Sequence, residues 1–277
     1  MLATFEASDI SGIYKGELKM SYETILYGNN NHVTNITLNR PEKLNAMNHT
    51  MLAELADAVD VFEADDDAWV AIISGSGRSF SAGRDVQTIM PEGRNAERSN
   101  VPDRVGGPPF LDAIKSGKPV IAAIRGHAYG FGLWLAGECS IVIASHDARF
   151  AMTMIRRSIS GGGIWSNIAQ WVPSKIASEM AITGEPIDAA TAERLGLVNQ
   201  VVASDGLMEA ALAMAERILL QPPLAVRATL QAIRNNARHD ISDRQSRNPQ
   251  QSLDKTEDYR EATASFLEKR KPIFKGR

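Results

Sequence analysis

Three short apolar runs constrain this chain more than any other feature: WVAIISG (69–75), KPVIAAIRG (118–126) and CSIVIAS (139–145). Each is shorter than an ordinary helix and rich in β-branched residues, so each reads as a buried strand. Helical or glycine-rich segments separate them. Parallel strands need a long crossover, whereas antiparallel neighbours need only a tight turn. The pattern therefore predicts parallel βαβ units in an α/β fold. Two further β-rich runs, YETILYG (22–28) and HVTNITLN (32–39), flank the stretch NNN. Asn tolerates left-handed backbone, which predicts a hairpin there.

Helical periodicity fills much of the rest. Met51, Leu52, Leu55, Val59 and Phe62 recur at spacings of three and four, one apolar helix face, with Asn48 or Thr50 as the cap. PSKIASEMAITG ends at Gly184; IDAATAERLG opens on a capping Asp188 and stops at Gly196, before the short strand LVNQVV. GLMEAALAMAERILL stops before Pro222 and Pro223, which open the next helix, to about Ala237. A charged helix, EDYREATASFLEKRK, closes the chain. Residues 88–117 carry Pro, Gly and charge without periodicity and predict a mobile loop; SISGGGI (158–164) predicts a turn. The expected organisation is a loose extension over 1–19, a βαβ core over 20–200 and a helical region over 201–277.

A formal net charge of -3 gives no reason to expect nucleic acid or an anionic membrane as partner. No apolar run approaches the ~20 residues needed to span a bilayer. Cys139 is the only cysteine, so an intrachain disulfide is excluded; the lone thiol fits a reducing, cytoplasmic compartment and reads as packed core.

The stretch RGHAYGFGLWLAGE (125–138) runs from a strand through a glycine-bracketed turn into an apolar helix. Backbone N–H groups at such a corner suit an oxyanion. Read with ITLNRPEKLNAMN, GRSFSAGRDV, KPVIAAIRGHAYGFG, DARFAM, AITGEPIDAATAERLGLVNQVV and FLEKRKPIFKGR, in that order, the chain resembles the crotonase (enoyl-CoA hydratase/isomerase) superfamily from Met20 onward. The resemblance implies a spiral of βαβ turns, a C-terminal helical trimerisation region, a homotrimer or hexamer, and an acyl-CoA thioester as substrate. Coenzyme A enters as part of that substrate, with no separate cofactor and no metal.

It also implies backbone oxyanion donors at Arg84 and Phe131, with Gly130 and Gly132 freeing the chain to aim the second amide. Lys43 and Leu44, with Ala82 beside the first turn, match the adenine and pantetheine side of the groove. Phe266 and Lys269 match positions that reach the adenine nucleotide, often of a neighbouring subunit. Gln87 stands where a phosphate-binding Lys is frequent.

The resemblance breaks at the acid–base positions. Hydrating relatives place two glutamates across a water; the matching residues are Trp134 and Met154, or Thr153 if a deletion shifts the second match. None of these titrates near neutrality, so addition of water is not expected. Trp134 and Met154 are instead expected to make a larger, drier acyl pocket, which favours decarboxylation or proton shuffling (isomerisation) on aromatic or branched acyl groups over water addition; thioester or carbon–carbon hydrolysis is a further reaction open to the superfamily.

Substitute proton carriers are His127, Glu138 and Tyr129. Glu138 reads equally as a buried, hydrogen-bonded structural acid, and His127 as a side chain tied to nearby backbone. Asp85 reads as structural. Arg156 and Arg157 read as salt-bridging residues at a subunit boundary or as partners for a substrate carboxylate. Ser160 stands where relatives have Pro or a catalytic Asp. Glu92, Glu97 and Asp103 are further acids in the 88–117 segment. A catalytically silent acyl-CoA-binding protein is the alternative from another class, and a diketone carbon–carbon hydrolase without coenzyme A is a third reading.

Overall fold

Local signals set most element boundaries. The computed structural model describes residues 18–20, 22–85, 111, 114, 117–157, 164–237 and 255–277. Strands β1 (Leu18–Met20), β2 (Ile25–Asn30) and β3 (Val33–Leu38) lead to helix α1 (His49–Ala64) and β4 (Val70–Gly75). After β5 (Val120–Ile124) come β6 (His127–Tyr129), α2 (Phe131–Glu138), β7 (Ile141–Ser145) and β8 (Arg149–Ala151). Then follow α3 (Ile164–Trp171), α4 (Ser174–Thr183), β9 (Ile187–Asp188), α5 (Ala189–Arg194) and β10 (Gln200–Val202). Helices α6 (Leu207–Leu219), α7 (Pro223–Ala237) and α8 (Glu257–Glu268) complete the order.

The expected hairpin is present: β2 and β3 pair antiparallel, and Asn31 and His32 carry the positive φ of its turn. Asn48 caps α1 by accepting the Met51 N–H at 2.9 Å. Asp188 caps α5 in the same way through Thr191; that backbone hydrogen bond comes first among the causes holding its carboxyl below the usual range. The expected boundary at residue 19 falls inside β1, which pairs with β2.

The main sheet has the order β1-β2-β3-β4-β5-β7-β10, and every pairing from β3 to β10 is parallel. Strand alternation divides the core into two layers. Val70 and Ile72, Ile121 and Ala123, and Ile143 face α6, which contributes Leu207, Ala211 and Ala215. The intervening Ala71, Ile73, Val120, Ala122, Ile124, Val142 and Ala144 face α1 and α2. A smaller sheet, β6-β8-β9, stands apart from the main one. This second sheet carries the chain into the turn at Gly130.

Two details lie beyond the local pattern. Leu111 and Ile114 are helical and buried, so the expected 88–117 loop is not loop throughout; its remaining residues up to 116 are outside the described ones, as is the SISGGGI turn as far as residue 163. Lys118 is buried and donates to the Phe62 and Asp65 carbonyls at 2.8 and 2.7 Å, at the negative end of α1. Burial lowers its pKa, against the opposing pull of Glu63. No helix among the described residues is long and apolar enough to cross a membrane.

Candidate active site

Two turns from separate parts of the chain meet at the ends of β4 and β6. Gly83 has φ of +97°, and a Cβ there would lie 2.7 Å from the Tyr129 carbonyl oxygen and 3.3 Å from the Phe131 nitrogen. Gly132 is pressed against Ser81, where a Cβ would come within 2.9 Å. The segment Ser81–Asp85 is thus packed face to face with Tyr129–Gly132.

Each turn is held by its own bonds. Met47 donates to the Gly83 carbonyl at 2.8 Å and accepts the Asp85 N–H at 2.9 Å. In extended backbone, successive amides point to opposite sides, so Arg84 directs its N–H away from Met47. Ser81 donates its N–H to the His127 carbonyl and accepts the Tyr129 N–H, locking the first turn to β6. Gly130 has φ 53° and ψ -114°, a backbone shape reserved for glycine, and it reverses the chain into α2. Phe131 is the first residue of α2, where N–H groups point out of the helix end.

Asn45 and Arg40 form the support beneath, which the sequence reading missed. Asn45 is fully buried; its Nδ2 donates to the Ser76 and Ser79 carbonyls, and its Oδ1 accepts the Arg40 N–H. Arg40 Nη1 bonds the Ala46 carbonyl at 2.6 Å and Asp85 Oδ2 at 3.0 Å. Asp85 is therefore a strut of the first turn, as its structural reading held. The available signal was Asn after a prolyl turn, since Leu44 and Asn45 both adopt left-handed backbone. Leu44 accepts the Ala82 N–H at 2.9 Å, which sets Lys43 and Leu44 beside this turn.

The side chains of the second turn form one line. The Arg84 guanidinium carbon lies 5.8 Å from the Phe131 ring centroid. Phe131 meets Trp134 edge to face at 5.4 Å. Trp134 Nε1 donates to Glu138 Oε1 at 3.0 Å. Residues 131, 134 and 138 share a helix face at spacings of three and four. Glu138 is thus the buried, hydrogen-bonded acid of its structural reading, with the indole as its partner. Met154 sits half-buried in the 3-10 turn Thr153–Arg157, against the main core.

His127 Nδ1 is hydrogen-bonded to Ser79 Oγ at 3.0 Å, and its ring lies 4.7 Å from that of Tyr129, on the same face of β6. Arg156 pairs with Glu185 at 2.6 Å on the surface. Lys269 caps α8 in left-handed backbone, and Phe266 is 82% exposed, so neither is packed against the two turns within one chain. Gln87, Ser160, Glu92, Glu97 and Asp103 lie outside the described residues, and the side chain of Arg157 is not described. Among the described residues no group of three or more His, Cys, Asp or Glu could hold a metal ion.

The chain as a whole is similar to known proteins. A sequence model of enoyl-CoA hydratase/isomerase matches residues 28–277. The chain belongs to the enoyl-CoA hydratase/isomerase family. It is 37% identical over 261 residues to a probable enoyl-CoA hydratase of Rhizobium meliloti, covering 93% of this chain and all of the relative. It is 35% identical to (E)-benzylidenesuccinyl-CoA hydratase of Thauera aromatica, over 89% of this chain and 96% of that one. The crystal structure of an enoyl-CoA hydratase/isomerase from Mycobacterium paratuberculosis superposes with a TM-score of 0.83 at 32% identity, over 93% of this chain and 100% of its own. The fold is accordingly the crotonase fold.

The packing makes a sharp local prediction. Gly83→Ala would place a methyl group on the Tyr129 carbonyl in backbone that L-residues avoid. It should lower unfolding free energy by about 1–3 kcal/mol, measured by urea denaturation.

Proposed function

We propose that this protein binds an acyl-CoA thioester and stabilises its enolate or oxyanion with the backbone N–H groups of Arg84 and Phe131, without adding water. The observation that carries this reading is one juxtaposition. The two glycine turns are locked together, and Trp134, which the resemblance matches to one hydrating carboxylate as it matches Met154 to the other, is buried and bonded to Glu138. In the proposed step an α-C–H bond breaks, its electron pair moves to the thioester oxygen, and a side chain takes the proton. Phe131 at the start of α2 brings the positive end of the helix dipole to that oxygen. Two buried supports, Asn45 and the Arg40–Asp85 pair, keep the first turn from relaxing when charge develops.

Proton transfer is assigned to His127, through or beside Tyr129. Only an imidazole has an unperturbed pKa near neutrality, about 6.5, and Glu138 is committed to the indole. Solvent exchange of the α-protons of an acyl-CoA tests the reading. His127→Gln is expected to slow exchange by about two orders of magnitude, with Glu138→Gln near wild type. The reverse pattern would reassign the base to Glu138. Binding without exchange on any thioester would favour the silent binding protein, for which the lost carboxylates speak.

The assembly is proposed to be a trimer or a dimer of trimers. Leu220, Ile233, Phe266, Leu267 and Ile273 are exposed apolar residues on the helical part and its tail, and such exposure calls for covering. Static light scattering at micromolar concentration should give three or six chain masses; monomer alone would contradict it.

A further inference from the structure

The bond between Trp134 and Glu138 has no role in stabilising an oxyanion, yet both side chains are buried and the bond spans one turn of the helix that starts at Phe131. An indole N–H left alone in that position would be a donor aimed at the reacting centre or an orphan in the core, and an orphan is costly. Glu138 removes it from both fates. It takes the N–H toward the far end of α2 and so fixes the ring plane. Phe131 braces the same ring from the other side, edge to face at 5.4 Å, and Arg84 stands over the Phe131 ring. Gly137 closes the remaining freedom, because a Cβ there would lie 2.3 Å from the Trp171 ring, so α2 sits tight on α3. Trp134 is 6% exposed and Phe131 7% exposed. The two rings are therefore held at a fixed angle, with little of either residue left accessible.

We infer that Trp134, aligned by Glu138 and Phe131, is the specificity-determining wall of the acyl site and selects aryl acyl thioesters over saturated ones of the same size. The inference rests on the acyl-CoA reading above. Its physical basis is the ring quadrupole: fixed aromatic edges and faces attract another π-system beyond what apolar area alone gives. Glu138 is a positioning residue here and touches no substrate.

The test compares benzoyl-CoA with cyclohexanecarbonyl-CoA, rings of equal carbon count of which only one is aromatic, with acetyl-CoA as reference, by isothermal titration calorimetry. Wild-type protein is expected to bind the benzoyl thioester roughly fivefold to tenfold more tightly than the cyclohexyl one. Trp134→Leu should bring that ratio to about one. Glu138→Gln keeps an acceptor oxygen for the indole and should retain the ratio; Glu138→Leu should lose it. A wild-type ratio of one overturns the inference without any variant, and so does an unchanged ratio in Trp134→Leu. If acetyl-CoA binds and the ratio is one, only this inference fails. If none of the three thioesters binds, the acyl-CoA reading falls with it.

Discussion

Crotonyl-CoA should remain unhydrated in the presence of this protein, at a rate at least four orders of magnitude below the ordinary enzyme median of about 10 per second. Positioned general acids and bases contribute about 10²–10⁴ each, and hydration needs one to activate water and one to protonate the α-carbon. Trp134 and Met154 offer neither. Loss of the enoyl thioester's ultraviolet absorbance measures the rate, and turnover near the median would refute the expectation. Relatives that share a third of the sequence are named hydratases, which makes the result informative about this chain rather than about its fold. The same geometry predicts that simple restoration fails. Trp134→Glu would set a second carboxylate one turn from Glu138 on a buried helix face and remove the donor that Glu138 now uses. Two buried carboxylates that close cannot both ionise cheaply. Trp134→Glu should therefore fold poorly, and adding Glu138→Ala should recover stability. Hydration would still require Met154→Glu.

Phe131→Pro should reduce α-proton exchange by about 10²–10³, the usual effect of losing one oxyanion donor, whereas Phe131→Gly should stay within tenfold of wild type. The comparison is clean because of where Phe131 lies. It is the first residue of α2, and proline is favoured at that position, its fixed φ already helical. Gly130 precedes it, and glycine tolerates the restriction a following proline imposes. Both substitutions lose the ring against Trp134, and only proline also deletes the N–H. Phe131→Gly keeps the N–H but removes the buried ring against Trp134 and adds backbone freedom, so its cost falls on stability, about 3–5 kcal/mol, seen in thermal unfolding. Equal exchange in both variants would rule out an oxyanion role for this amide.

Much of the fold was legible beforehand because it follows from short-range rules. A strand alternates with period two and a helix with period 3.6, so WVAIISG, KPVIAAIRG and the α1 face announce themselves. Caps at Asn48 and Asp188 and stops at Gly184 and Gly196 are chemistry within four residues. β6 and the second sheet were not legible, since three residues of strand carry too little periodicity to separate from a turn.

By itself the sequence determined the order of elements and the two glycine turns. Both are set by residue type and spacing along the chain. Only the tertiary structure decided which turn meets which. Gly83 lies against Tyr129 and Phe131, Asn45 beneath Ser76 and Ser79, and Asp85 on Arg40, at separations of 31 to 48 residues. A side-chain period tells which face is buried but not which partner buries it. It was likewise the packed core that placed Glu138 against the indole. Its spacing from Trp134 permits contact, but a surface pair at that spacing would be worth only a few tenths of a kcal/mol. Burial is what makes the bond obligatory, because the indole N–H and the carboxylate have no water to turn to.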